Sequence, residues 1–165
     1  MQALTEAAVR SSFVNTTKGG AKRLALPRDL VDSPWDDLDF LGWCDPAAPQ
    51  RAYLVAETDD GPAGVALRSA SGASGRPRRT MCAWCLTAHA GDGVALMTAR
   101  RAGRAGQAGD SVGTYLCADL ACSLYVRGIK KAGPGARMSE SLSVEEQAAR
   151  LRASLDAFVR RVLAG

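Results

Sequence analysis

The chain has 165 residues, 47% of them hydrophobic and 23% charged, and a formal net charge of +4. That length suits one domain with a real core. No apolar run approaches the roughly 20 residues that a membrane-spanning helix needs, and no membrane partner is expected. The first residues, Met-Gln-Ala-Leu-Thr-Glu, are neither basic nor apolar. No secretory leader is therefore expected, and the compartment implied is the cytoplasm, where paired cysteines serve as metal ligands more often than as disulfides.

In chain order, residues 4 to 17 read as a helix with Val9 and Phe13 on one face, stopped by Lys18-Gly19-Gly20. Ser33-Pro34-Trp35-Asp36-Asp37 has the form of a helix start, with Ser33 as N-cap and acids in the first turn. Trp35, Leu38, Phe40, Leu41 and Trp43 are expected as core anchors. Residues 52 to 56 and 64 to 68 form a hairpin around the turn Asp59-Asp60-Gly61-Pro62. Ser69 to Arg79, rich in Ser, Gly and Arg, reads as a surface loop.

Thr80 to Leu86 is a metal-binding knuckle, residues 93 to 99 a strand, Arg100 to Gly113 an Arg- and Gly-rich loop, and Ala118 to Val126 a helix closed by Gly128. Ser143 and Glu146 make a capping box. Behind it, Val144, Ala148, Leu151, Leu155, Phe158, Val159 and Val162 recur at helical spacing, which predicts an amphipathic helix over about 143–163. The whole is an α+β domain spanning residues 1–165: a small antiparallel β-sheet, a finger subdomain over about 80–131 and the C-terminal helix.

The chemistry lies in two cysteine pairs, Cys82-Ala83-Trp84-Cys85 and Cys117-Ala118-Asp119-Leu120-Ala121-Cys122. Four thiolates suit a structural Zn2+ ion, which takes four sulfurs at about 2.3 Å and then has no open position for water or substrate. The order knuckle, strand, loop, strand, helix is the treble-clef arrangement, with Cys117 just before the helix and Cys122 inside it. The fifth cysteine, Cys44, reads as a small core residue. His89, the lone histidine, has no nucleophile or second ligand cluster beside it, and no phosphate-loop or zinc-protease motif is present. The expectation is a protein without catalytic residues and without a small-molecule substrate.

Charge is uneven. Residues 28 to 60 carry two bases against nine acids, and residues 76 to 131 carry nine bases against three acids. A basic finger half suits an acidic or phosphate-bearing partner.

Several strings resemble a known family: Ser12-Phe13-Val14-Asn15 with Lys18-Gly19, the run from Pro34 to Trp43, Met81-Cys82 with Cys85, and the run from Val112 to Arg127. They look like the C-terminal treble-clef domain of elongation factor G-binding proteins, the FusB type associated with fusidic acid resistance. The resemblance runs from about residue 10 to residue 163. It implies Cys82, Cys85, Cys117 and Cys122 as zinc ligands, and elongation factor G as partner. The implied activity is non-enzymatic release of the factor from the ribosome, with fusidic acid tolerance where resistance is conferred. Arg100, Arg101, Arg104 and Tyr115 are the expected partner contacts, on charge and exposure. The family's resistance proteins carry an N-terminal helical domain, whereas this chain begins almost at the finger-containing domain. The competing reading is a finger that uses its basic loops on ribosomal or other RNA.

Overall fold

A computed structural model describes residues 1–70, 79–133, 136 and 140–165. Most of the expected loop between Ser69 and Arg79 lies outside the described residues. Helix α1 (Glu6–Ser11) starts at Thr5, whose side chain accepts the Ala8 N–H, and α2 (Lys18–Lys22) starts at Thr17, which accepts the Gly20 N–H. The expected single helix thus ends early, and the Lys-Gly-Gly run begins a helical turn instead of ending one. The cause is tertiary. Val14 N–H donates to Gly64 O and Gly64 N–H to Ser12 O, both at 2.9 Å, so residues 12 to 14 lie along a strand. Any side chain at Gly64 would meet the Ser12 hydroxyl at 2.5 Å.

The proline-aromatic segment forms only a 3-10 turn, Trp35–Asp37, with no side-chain cap. It leads into β1 (Phe40–Cys44), a strand that the sequence reading does not assign. Phe40, Leu41 and Trp43 are all buried, on opposite faces, so polar alternation is absent. A Cβ at Gly42 would meet Leu120 Cβ at 2.7 Å, so this glycine allows the finger to approach the strand.

The expected hairpin is present and longer than its apolar core: β2 (Arg51–Thr58) and β3 (Gly61–Ser69) pair from Arg51↔Arg68 to Thr58↔Gly61. Two short strands, β4 (Thr80–Met81) and β5 (Ala88–His89), flank the knuckle. Strand β6 (Val94–Arg100) follows. The Arg- and Gly-rich stretch then folds into α3 (Gly103–Gln107) and the start of β7 (Ser111–Cys117). Helices α4 (Cys122–Val126) and α5 (Val144–Leu163) complete the chain, the latter with its capping box formed.

The main sheet is antiparallel with order β1-β2-β3-β6-β7. On one face, Phe40, Leu54, Val65, Met97 and Leu116 pack with Leu151, Leu155, Phe158 and Val162 of α5 and with the cysteine module. On the other, Leu41, Trp43, Tyr53 and Val55 pack with Val9, Phe13, Leu24 and Leu30 of the N-terminal segment. Val144 is the exception in the α5 stripe, standing 41% exposed at the first turn.

Candidate metal centre

Cys82 and Cys85 come from the turn between β4 and β5, Cys117 is the last residue of β7, and Cys122 is the first of α4. All four are buried. Their sulfurs lie within 4.8 Å of one another, with Cys82 to Cys122 at 3.6 Å and Cys85 to Cys117 at 3.5 Å. A tetrahedral ion with Zn–S bonds of about 2.3 Å needs sulfurs about 3.8 Å apart, so the donor set fits zinc with little movement. A disulfide needs about 2.05 Å, which no pair approaches. As packed thiols the four do not ionise alike: hydrogen bonds from Cys117 and then Cys122 lower Cys82 and Cys85. Cys122 is pushed well above the usual thiol range by its bonds to Cys117, Cys82 and Cys85, and then by burial. A divalent cation held by Cys82, Cys85, Cys117 and Cys122 would keep all four as thiolates.

Local geometry explains the spacing. In the first pair, Cys82 N–H donates to Thr87 O at 2.9 Å and Leu86 N–H to Cys82 O at 3.1 Å, with Leu86 in the left-handed region at φ 54°. In the second, four residues separate the ligands because the chain turns before α4: Leu120 N–H donates to Cys117 O at 2.9 Å, and Leu120 takes φ 55°. Asp119 braces that turn, accepting from Ala121 N–H at 3.1 Å and Tyr125 OH at 2.9 Å and pairing with Lys130 at 2.8 Å. Burial alone would raise the Asp119 carboxyl, but these partners, Lys130 first, hold it below its ordinary value.

Two residues support this module in ways the cysteine spacing does not reveal. Trp84, inside the first pair, is 2% exposed and packs edge-on against Phe40 at 5.5 Å and Phe158 at 5.6 Å. Its position between two ligands is the signal that could have found it. His89 places Nε2 at 3.4 Å from Cys117 Sγ and its ring edge-on to Tyr125 at 4.9 Å, so it supports a ligand from outside the four-sulfur shell. Cys44 stands apart from the cluster, with its thiol donating to Ala118 O at 3.2 Å and pushed up by burial and then by the charge of Asp119.

The expected contact residues fall in different settings. Arg100 and Arg104 are exposed, and Tyr115 is 52% exposed on β7. Arg101 is half-buried, and its guanidinium donates to Arg161 O at 2.8 Å and Ala164 O at 3.0 Å, which fastens the end of α5 to the end of β6.

A closed four-cysteine centre beside an antiparallel sheet, with the last ligand opening a helix, defines a treble-clef zinc finger, a structural fold typical of non-catalytic proteins. Over residues 8–162 the chain matches the model of the FBP C-terminal treble-clef zinc-finger family, and it belongs to that family. Among solved structures it is similar to the fusidic acid resistance protein FusC, at 21% identity and a TM-score of 0.45, over 62% of this chain and 45% of that chain. The chain thus spans less than half of that protein's length. No match was found among curated proteins. No helix among the described residues is long and apolar enough to cross a membrane.

Proposed function

We propose that residues 1–165 act as one domain that binds translation elongation factor G and modulates its release from the ribosome in the cytoplasm, without catalysis. Membership in the FBP C-terminal treble-clef family carries this reading, together with the sequence resemblance to elongation factor G-binding proteins. The surface beside the finger is suited to a protein partner. Tyr115 projects from the outermost strand of the sheet, and Arg104 and Arg100 stand exposed nearby in sequence on α3 and β6. An exposed tyrosine with arginines is the composition of an interface anchor. Arg101 contributes by holding the end of α5 in place. Zinc, held by Cys82, Cys85, Cys117 and Cys122, keeps this surface in shape and takes no part in chemistry. Release then follows from binding energy: tighter binding to one state of the factor shifts its equilibrium toward that state. Tolerance of fusidic acid is one consequence of such release.

Size-exclusion co-elution of the zinc-loaded protein with purified elongation factor G, without ribosomes, tests the reading. A complex at about 10 µM, lost in Cys117→Ala and in the folded Arg104→Glu/Tyr115→Ala protein, supports it. Failure of the intact finger to co-elute overturns it.

A further inference from the structure

The N-terminal segment covers only part of its face of the sheet. Alternation along the strands puts Arg51, Arg68, Thr98, Arg100, Ser111 and Tyr115 on that same face, because Arg51 pairs with Arg68, Arg68 with Thr98, Arg100 with Ser111, and Leu96 with Tyr115. Arg51, Arg68, Arg100, Ser111 and Tyr115 are all exposed. A concavity of about 900 Å³ opens here against the stretch from Asn15 to Arg23. Its floor is well defined. β3 and β6 pair only at Arg68↔Thr98 and Ser69↔Met97. Where they part, Asn15 fills the gap, donating to Ala66 O at 3.0 Å and Arg100 O at 2.9 Å and accepting the Ala66 N–H at 2.8 Å.

Arg23, Arg51, Arg68 and Arg100 line this concavity. None of the four forms a side-chain ion pair among the described residues, whereas Arg10, Arg127, Arg150 and Arg152 each pair with a carboxylate. The lining includes one carboxylate, Asp45, and its Oδ1 accepts the Ala47 N–H at 2.9 Å. Arg51 and Arg68 stand directly opposite each other, an arrangement of like charges that destabilises a sheet. An anion between them removes the repulsion, and guanidinium forks suit phosphate.

The row of cations is longer than a lone phosphate needs. The arginines on β2 and β6 are two strand spacings apart, about 10 Å, and Tyr115 lies four residues, about 13 Å, along β7 from Ser111. Arginines in a row with an exposed aromatic ring beyond them match a chain of phosphates with a base to stack. Within the concavity, which Tyr115 does not line, no large hydrophobic side chain stands exposed to form the apolar centre of a protein interface. Among the described residues, Tyr115 is the only large exposed hydrophobic on strands β1–β3, β6 and β7.

We propose that this sheet face, open among the described residues, binds single-stranded RNA, with the phosphates on Arg23, Arg51, Arg68 and Arg100 and a base on Tyr115. The proposal shares Arg100 and Tyr115 with the factor-binding reading but rests on Arg23, Arg51 and Arg68, which are not among the contacts assigned there. The test is fluorescence anisotropy of a labelled oligouridine with the zinc-loaded protein across a salt series. Binding with a Kd of about 10⁻⁵ M at low salt, and a log–log salt slope between about −2 and −3, is expected for three or four neutralised phosphates. Arg51→Glu/Arg68→Glu should weaken binding at least about tenfold and flatten the slope, while Tyr115→Ala should cost about fivefold and leave the slope unchanged. Both arginines are exposed, so the reversed protein should keep its fold, its zinc and its co-elution with elongation factor G. Three results overturn the proposal: no binding by about 10⁻⁴ M at low salt, undiminished binding by the charge-reversed protein, or displacement by polyglutamate as effective as displacement by unlabelled oligouridine. The last would assign the face to an acidic protein.

Discussion

The two faces of the sheet are held by different chemistry. On the N-terminal face, Phe13, Trp43 and Tyr53 form a three-ring cluster with centroids 5.2 to 6.3 Å apart. Around it, long-range polar contacts fasten a short segment: the terminal ammonium donates to Leu38 O at 2.7 Å, and Arg10 donates to the carbonyls of Ala21, Lys22 and Leu24. The opposite face has an apolar stripe on α5, but three of the four ligands are carried by the turn between two two-residue strands and by a five-residue helix. Elements that short do not persist on their own. One metal ion held by ligands from such short elements would tie them together, and the site would then be the least dispensable part of the fold.

Breaking the finger should therefore have the largest effect. Structural zinc contributes about 10–16 kcal/mol in small fingers, as much as the net stability of a typical domain. Strong chelation, or Cys117→Ala, should abolish amide-exchange protection in β4, β5 and α4. Retention of protection there after zinc removal would contradict the contrast between the faces. Opening the aromatic face is the next step down. Trp43→Ala should cost about 3–5 kcal/mol by cavity formation, measured by urea denaturation. Its zinc stoichiometry should be unchanged, because Trp43 packs on the face away from the ligands.

Asp39 ties the sheet to the metal-side helices, so its removal loosens that side alone. At the entrance to β1, its 2% exposed carboxylate takes Arg127 at 2.6 and 3.2 Å and Arg152 at 2.8 Å, while its backbone N–H donates to Ser123 Oγ at 3.0 Å. One residue thus ties the sheet to α4 and α5. Breaking a fully buried pair costs about 3–5 kcal/mol, and Asp39→Ala should cost less, about 2 kcal/mol, because Arg152 is 51% exposed and can return to water. A pH dependence follows. Burial would raise this carboxyl, but the hydrogen bonds and charges of Arg127 and Arg152 outweigh it and lower the folded-state value below 3.8. A lowered folded value means stability that is complete above the unfolded value of about 3.9 and is lost as pH falls through the folded one. Acid unfolding should therefore be shallower over that range in Asp39→Ala, as thermal melts between about pH 5 and pH 2 would show.

How much of this was legible in the sequence follows the same division. The metal ligands were, because thiolate chemistry restricts what four paired cysteines can do, and α5 was, because a capping box and a 3.6-residue period are local signals. The hairpin was also visible, through its turn. Strand β1 was not, since Phe40, Leu41 and Trp43 are buried on both faces and leave no alternation to read. The end of α1 at Ser11 was hidden as well, because a strand 50 residues away captures Ser12 to Val14. Of the expected contact residues, Arg100, Arg101, Arg104 and Tyr115 look equivalent on composition. Only the fold shows that Arg101 is committed to the backbone of α5 while Arg100 and Tyr115 share an open sheet face.

The smallest effect sharpens the comparison from the α5 side. Ser143 Oγ accepts the Glu146 N–H at 3.2 Å, and Glu146 returns a carboxylate to the Ser143 N–H at 2.7 Å. Ser143→Ala removes one half of that exchange and should cost about 1 kcal/mol. The site is exposed, so no cavity or buried charge adds to it. Helix α5 packs on Trp84 through Phe158, and Trp84 sits between two ligands, so the loss at the cap belongs to the metal-side face. In a double-mutant cycle Ser143→Ala should be additive with Trp43→Ala, whose contacts lie on the other side of the sheet. A coupling energy above about 0.5 kcal/mol between the two would mean that the sheet transmits strain from face to face, and that the two regions are one cooperative body rather than two held by different means.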